Sequence, residues 1–139
     1  MSLFPGFESG RIETSGGVTI NYIAAGAGEP VLLLHGYPET HACWHKIAPR
    51  LAQKYRVICA DLRGYGDSSK PAGLPDHSNY SKRAMGLDMV ELMEKLGYAT
   101  FHLVGHDRGG RVAHRLTRDH ESRIRTLTVL DISPTLKMF

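Results

Sequence analysis

Two carboxylates and two guanidiniums, Asp107, Asp131, Arg108 and Arg111, are the side chains whose types and spacing point most directly to covalent chemistry. Asp107 stands in the stretch Val104-Gly105-His106-Asp107-Arg108-Gly109-Gly110, where an apolar run from Phe101 ends in a glycine and a helix-like pattern follows. A strand that stops at Gly105 and re-enters a helix by Gly109 must turn very tightly, and glycines on both sides supply the room. The spacing is that of a nucleophile elbow, G-x-S-x-G, with aspartate in the serine's place. At the apex Asp107 is held out at the carboxyl edge of a sheet, above a helix amino terminus that stabilises its anion. A carboxylate needs no base to be a nucleophile, so the chemistry departs from that of ordinary esterases. A plain helix cap is the alternative reading of Asp107, but a cap requires neither flanking glycines nor a second carboxylate.

Arg108 and Arg111 are three apart and point to one side of the first helical turn. Beside a nucleophilic carboxylate they repel a cationic substrate and can clamp a small carboxylate bidentately. The plainer alternative is that they only neutralise Asp107 and Asp131. Asp131 follows Val129-Leu130 at the end of an apolar run, where it can orient a histidine as the acid of a triad does. His35-Gly36-Tyr37-Pro38 follows another apolar run, Val31 to Leu34. Gly36 lets backbone approach closely, and the Tyr37 N–H can pair with that of Arg108 as an oxyanion hole. His35 and His106 support these two turns.

The elements that position these groups follow from periodicity. Residues 11–24 alternate apolar with polar around Ser15-Gly16-Gly17 and predict a half-exposed antiparallel hairpin. Val31–Leu34, Val57–Ala60, Phe101–Val104 and Arg125–Leu130 read as buried parallel strands. Trp44, Ile47, Ala48 and Leu51 have helical spacing that Pro49 breaks into two short pieces. The Gly, Pro and Ser-rich stretch from Asp61 to Asn79 predicts irregular chain. Ser81 is a plausible N-cap for a helix with Met85, Met89, Leu92, Met93 and Leu96 on one face, closed by Gly97. That methionine stripe is core. A further helix is predicted over about Gly109 to Asp119. Strands alternating with helices give a parallel sheet with helices on both faces, and sites in such sheets form beyond the carboxyl ends of the strands. His35-Gly36-Tyr37, Asp61, His106-Asp107-Arg108 and Asp131 all fall at such ends.

With 139 residues, 42% of them apolar and 22% charged, residues 1–139 suffice for one domain with a real core. The amino terminus lacks a basic start and a continuous apolar stretch, and no apolar run is long enough to span a bilayer. A cytoplasmic protein with no membrane partner is expected. Cys43 and Cys59 lack metal-like spacing and read as buried free thiols. The net charge of +3 is slight. Arg108, Arg111, Arg115 and Arg118 form a stripe on one helical face, but no aromatics are interleaved with it, so a nucleic-acid partner is not indicated.

Taken together, the motifs resemble the amino-terminal half of an α/β-hydrolase, and within that fold the fluoroacetate (haloacetate) dehalogenases. The resemblance rests on Phe4-Pro5-Gly6-Phe7, His35-Gly36-Tyr37-Pro38, Trp44-His45-Lys46-Ile47-Ala48-Pro49, Asp61-Leu62-Arg63-Gly64-Tyr65-Gly66, Lys82-Arg83-Ala84-Met85, Gly105-His106-Asp107-Arg108-Gly109-Gly110-Arg111 and Leu130-Asp131-Ile132-Ser133-Pro134-Thr135. It implies that Asp107 displaces halide from a haloacetate to form an ester, while Arg108 and Arg111 hold the substrate carboxylate. Asp131 would orient the histidine that activates water, and no metal or organic cofactor is implied. Epoxide hydrolases share the loop Gly64-Tyr65-Gly66-Asp67-Ser68-Ser69-Lys70-Pro71, but typically carry tryptophan where Arg108 stands. Members of the family are considerably longer. The resemblance therefore implies an amino-terminal part of one domain, without the helical cap, the last two strands, the final helix or the base histidine. A non-catalytic, truncated scaffold that binds small carboxylates or a protein partner is the reading from a different class. With a sheet edge left unpaired, a homodimer or a complementing carboxyl-terminal fragment is expected.

Overall fold

Six strands, β1 (Glu8–Glu13), β2 (Thr19–Ala25), β3 (Pro30–Leu34), β4 (Arg56–Ala60), β5 (Phe101–His106) and β6 (Ile124–Leu130), form one sheet. Their order is β1-β2-β4-β3-β5-β6. The computed structural model describes residues 4–15, 17–36, 39–73 and 80–130. β1 and β2 make the antiparallel hairpin, β2 pairs antiparallel with β4, and β4, β3, β5 and β6 are mutually parallel. The hairpin starts earlier than the alternation suggests. Only β1 is largely exposed, because β2 is covered on its other side by β4.

Alternation within the parallel strands sorts their side chains onto two faces. Leu32, Leu34, Ile58, Ala60, Phe101 and Leu103 pack with the helices α2 (Lys82–Lys95) and α3 (Arg108–Asp119). Val31, Leu33, Val57 and Cys59 pack on the opposite face with Trp44 and Ala48, from a 3-10 turn (His41–Trp44) and the short helix α1 (Ala48–Leu51). Helices thus cover both faces. The chain passes from β3 to β4 through α1, and then from β4 back across β3 to β5 through α2, so β3 has neighbours on both sides and a crevice is expected at the β3 and β5 carboxyl ends.

Local chemistry explains most boundaries. Pro49 sits in the first turn of α1, where its missing N–H costs no hydrogen bond, so the expected break falls before it. The Ser81 hydroxyl caps α2 by accepting from the Ala84 N–H at 3.1 Å, and Gly97 ends it with φ of +94°. Met85, Met89, Leu92 and Met93 are buried, as a core stripe requires. β6 departs from the expectation of a buried strand. Among the described residues it is an edge strand, and Val129 and Leu130 are 37% and 39% exposed. No helix among the described residues is long and apolar enough to cross a membrane.

A buried ion pair ties these layers together. Arg63, in the loop after β4, donates from Nε and Nη2 to the two carboxylate oxygens of Asp88 on α2, both at 2.7 Å. The Thr14 hydroxyl, from the hairpin turn, donates to Asp88 Oδ1 at 3.0 Å. Three segments distant in sequence therefore meet on one carboxylate shielded from water. Asp88→Ala leaves the Arg63 guanidinium buried without its counter-charge, and we expect a loss of about 3–5 kcal/mol in urea unfolding. The double variant Arg63→Met/Asp88→Leu is expected to recover most of it, and a single-variant loss below about 1 kcal/mol would show that the pair anchors nothing.

Candidate active site

The strand-to-helix turn is tighter than the glycine spacing suggests. β5 pairing runs through His106, opposite Leu130, and α3 begins at Arg108, so Asp107 alone makes the turn. Its backbone takes φ of 55° and ψ of −117°, and it is the one non-glycine residue with positive φ among those described. Such a conformation costs on the order of 1–3 kcal/mol and persists only where the surroundings impose it. Here the Asp107 carbonyl accepts from the N–H groups of Gly110 (2.9 Å) and Arg111 (3.2 Å), and its N–H donates to the Leu130 carbonyl (3.2 Å). The side chain makes no capping hydrogen bond to α3, which sets it apart from an ordinary N-cap aspartate. Gly109 brings α3 hard against the end of β3: a Cβ there would lie 2.3 Å from the carbonyl oxygens of Leu34 and His35.

The loop after β3 reaches the same point. A Cβ on Gly36 would lie 2.6 Å from Asp107 Cβ and 3.0 Å from Asp107 Oδ2, so only glycine fits. His35 is fully buried and satisfied at both nitrogens. Its Nε2 accepts from the Leu62 N–H (3.0 Å), which leaves Nδ1–H to donate to the Gly36 carbonyl (3.0 Å). Burial lowers its pKa below the ordinary histidine value, against smaller opposing contributions from the Gly36 hydrogen bond and nearby charges. His35 is therefore a neutral strut. Glu39 Oε1 accepts from the Gly36 N–H (3.1 Å) and from His106 Nδ1 (3.0 Å), tying the loop to the elbow. Tyr37 and Asp131 lie outside the described residues.

The arginine stripe divides in two. Arg108, exposed, points Nη1 at the Tyr65 hydroxyl (3.4 Å), and Arg111, half-buried, sits one turn further along α3. Arg115 and Arg83 instead meet Asp119, at 3.0 and 3.4 Å. Asp61, expected at the site edge, is wholly buried and its carboxylate is occupied. It accepts from Asn21 Nδ2 (3.0 Å), His41 N (2.7 Å), His41 Nδ1 (2.8 Å) and Asp67 N (3.1 Å). Burial alone would raise its pKa, but these donors bring it down to about 2. Cys59 is buried and Cys43 half-buried, both as free thiols. Burial pushes the Cys43 thiol up to about 12 and Cys59 up as well. Among the described residues no three His, Cys, Asp or Glu side chains come together as a metal site would require.

A family model described as alpha/beta hydrolase fold matches residues 29–139. The chain belongs to that family. This α/β-hydrolase chain is 56% identical to a fluoroacetate dehalogenase of Burkholderia sp over 99% of its own length and 45% of that protein's. It is 40% identical to a soluble epoxide hydrolase of Corynebacterium sp., over 86% of this chain and 40% of that one. Among solved structures, a protein of Nostoc sp PCC 7120 described as an alpha/beta hydrolase superposes with a TM-score of 0.93 at 59% identity, covering 95% of this chain and 45% of that one. The hydrolase chain spans less than half the length of these relatives.

Two residues that fasten the loops around the elbow escape a reading of the sequence: Glu39 and His41. Glu39 and His41 lie in a loop without periodicity, where partners are set only by the fold. The His41–Asp61 pair gives a pH signature. Its hydrogen bond to Asp61 raises His41 above its ordinary value, with burial opposing and the charges of Asp61 and Asp67 adding to the rise. A proton bound more tightly in the folded state stabilises fully below about pH 6.5 and ceases to as pH rises through the raised value. Asp61 acts oppositely: its lowered value contributes about 2 kcal/mol above about pH 4, lost as pH falls through about 2. His35, whose pKa is lowered, works against His41 in the same range. The difference between wild type and His41→Gln isolates the pair, and we expect that difference in unfolding free energy to be larger at pH 5.5 than at pH 9. A difference independent of pH would remove the charge from the interaction.

Proposed function

We propose that this hydrolase chain carries the first half-reaction of a haloacetate dehalogenase. The supporting observation is the carboxylate of Asp107 on a single-residue, positive-φ turn, with Arg108 and Arg111 in the helical turn that follows. The similarity to a fluoroacetate dehalogenase points the same way. In this reading an Asp107 oxygen attacks the carbon bearing the halogen, the carbon–oxygen bond forms as the carbon–halogen bond breaks, and halide leaves with its electron pair. Arg108 and Arg111 hold the substrate carboxylate through charge-assisted hydrogen bonds. The ester is then open to water activated by a histidine that Asp131 orients. The backbone N–H groups of Tyr37 and Arg108 would stabilise the resulting oxyanion. His35 does not serve as that base, since it is spent at both nitrogens. The base is proposed to come from outside the described residues. A second copy of the chain or a complementing fragment, seated on the β6 edge where Val129 and Leu130 are exposed, is one source.

Incubation with bromoacetate is expected to add one carboxymethyl group to Asp107, read by intact mass and peptide mapping, with the adduct absent in Asp107→Asn and much reduced in Arg111→Ala. Adduct-free, steady bromide release would overturn the half-reaction. Reaction with a neutral epoxide instead would favour the epoxide hydrolase reading that the 40% identity sustains, and no reaction with either would favour a non-catalytic scaffold. Sedimentation is expected to show self-association, and a monodisperse monomer would count against a partner at the β6 edge.

A further inference from the structure

Glu39 uses one carboxylate oxygen twice. Its Oε1 accepts from the Gly36 N–H at 3.1 Å and from His106 Nδ1 at 3.0 Å. Gly36 belongs to the loop after β3, and His106 ends β5 immediately before Asp107. One side chain is thus bonded directly to both turns that meet at the elbow. The Glu39 backbone adds to this, because its N–H donates to the Gly36 carbonyl at 2.8 Å. Both backbone polar groups of Gly36 are therefore held by a single residue, and the carbonyl also accepts from His35 Nδ1 at 3.0 Å. With its N–H spent on Glu39, Gly36 has no donor to offer a substrate oxygen.

This anchorage lies where the tolerance is smallest. A Cβ on Gly36 would stand 2.6 Å from Asp107 Cβ and 2.9 Å from the His106 carbonyl oxygen, so the loop backbone already rests against the elbow. Those atoms block any movement of Gly36 toward Asp107, and the bonds through Glu39 oppose movement away. The folding energy involved is small. The Glu39 and His106 side chains are 34% and 31% exposed, and pairs open to water in this way add little to stability. Geometry is a different matter, since a displacement of about 1 Å in a reacting site can lower the rate about a hundredfold.

We propose that Glu39 is a positioning residue, which holds the Gly36 loop at its working distance from Asp107 and locks His106 in one orientation. The role in reaction rests on the proposed reading of Asp107 as the nucleophile. Glu39 acts through Gly36 and His106 and not on the reacting atoms. What the role requires is an acceptor oxygen in this place; the negative charge is incidental. It also leaves a mark on its partner: an imidazole whose Nδ1 faces a carboxylate carries its proton there when neutral.

The limiting rate of Asp107 modification by bromoacetate, and the concentration that gives half that rate, separate positioning from binding. Glu39→Ala is expected to lower the limiting rate about tenfold, with the half-saturating concentration and the unfolding midpoint close to wild type. Glu39→Gln keeps an acceptor oxygen and is expected to restore the rate to within about twofold of wild type. In nitrogen-15 spectra taken in alkaline solution, His106 is expected to be protonated on Nδ1 in wild type and to lose that preference in Glu39→Ala. An undiminished limiting rate in Glu39→Ala overturns the proposal, as does a loss that Glu39→Gln fails to recover or an unchanged His106 tautomer. If Asp107 never reacts in wild type, yet Glu39→Ala shifts the Gly36 amide signal and the His106 tautomer, Glu39 stands as the residue that fixes the two turns and the nucleophilic reading of Asp107 is what fails.

Discussion

Three stretches of backbone converge within van der Waals contact at one residue, and the rest of the molecule is arranged so that they can. The end of β3, the start of α3 and the loop through Gly36 crowd around Asp107 so closely that side-chain atoms on Gly36 or Gly109 would collide with carbonyl oxygens or with the aspartate itself. Close approach of this kind depends on what lies beneath it. β3 is the central strand, paired with β4 on one side and β5 on the other, and buried from Val31 to Leu34. The strained torsion at Asp107 is a local cost that an interior of this density sustains.

Four carboxylates away from the elbow are spent on architecture. Asp61 is saturated by donors from the β2 strand, the 3-10 turn and its own loop, and Asp88 is held by Arg63 and Thr14. Glu39 bridges two turns, and Asp119 collects Arg83 and Arg115. Each is fixed by donors that a helix cap or an ion pair commonly supplies. Asp107 has main-chain bonds to Gly110, Arg111 and Leu130, and its side chain makes no cap to α3.

Much of the parallel sheet could be read from the sequence, because its strands are apolar runs bounded by turn residues and its long helices carry a strong 3.6-residue stripe. Val31–Leu34, Val57–Ala60 and the Met85–Met93 face needed no tertiary information. β6 did, since Arg125–Leu130 has the same apolar character whether another element covers it or not. The tight glycines marked the elbow, although only three-dimensional contact shows that one residue makes the turn. The roles of Glu39 and His41 were hidden for a common reason: each depends on a partner far away in sequence, and no local pattern encodes that. Asp61 was placed correctly at a strand end, but sequence could not show that four donors had already claimed it.

The two thiols bear on a competition within the chain. Toward a carbon electrophile a thiolate is intrinsically a far better nucleophile than a carboxylate, but a thiol is not. Cys59 is sealed in the sheet and Cys43 is half covered, and burial keeps both protonated well beyond neutral pH. On the proposed reading of Asp107, an alkylating substrate meets a carboxylate oxygen as its nucleophile, because both thiols are held protonated. Chemoselectivity between the two atoms is set by the packing of the core.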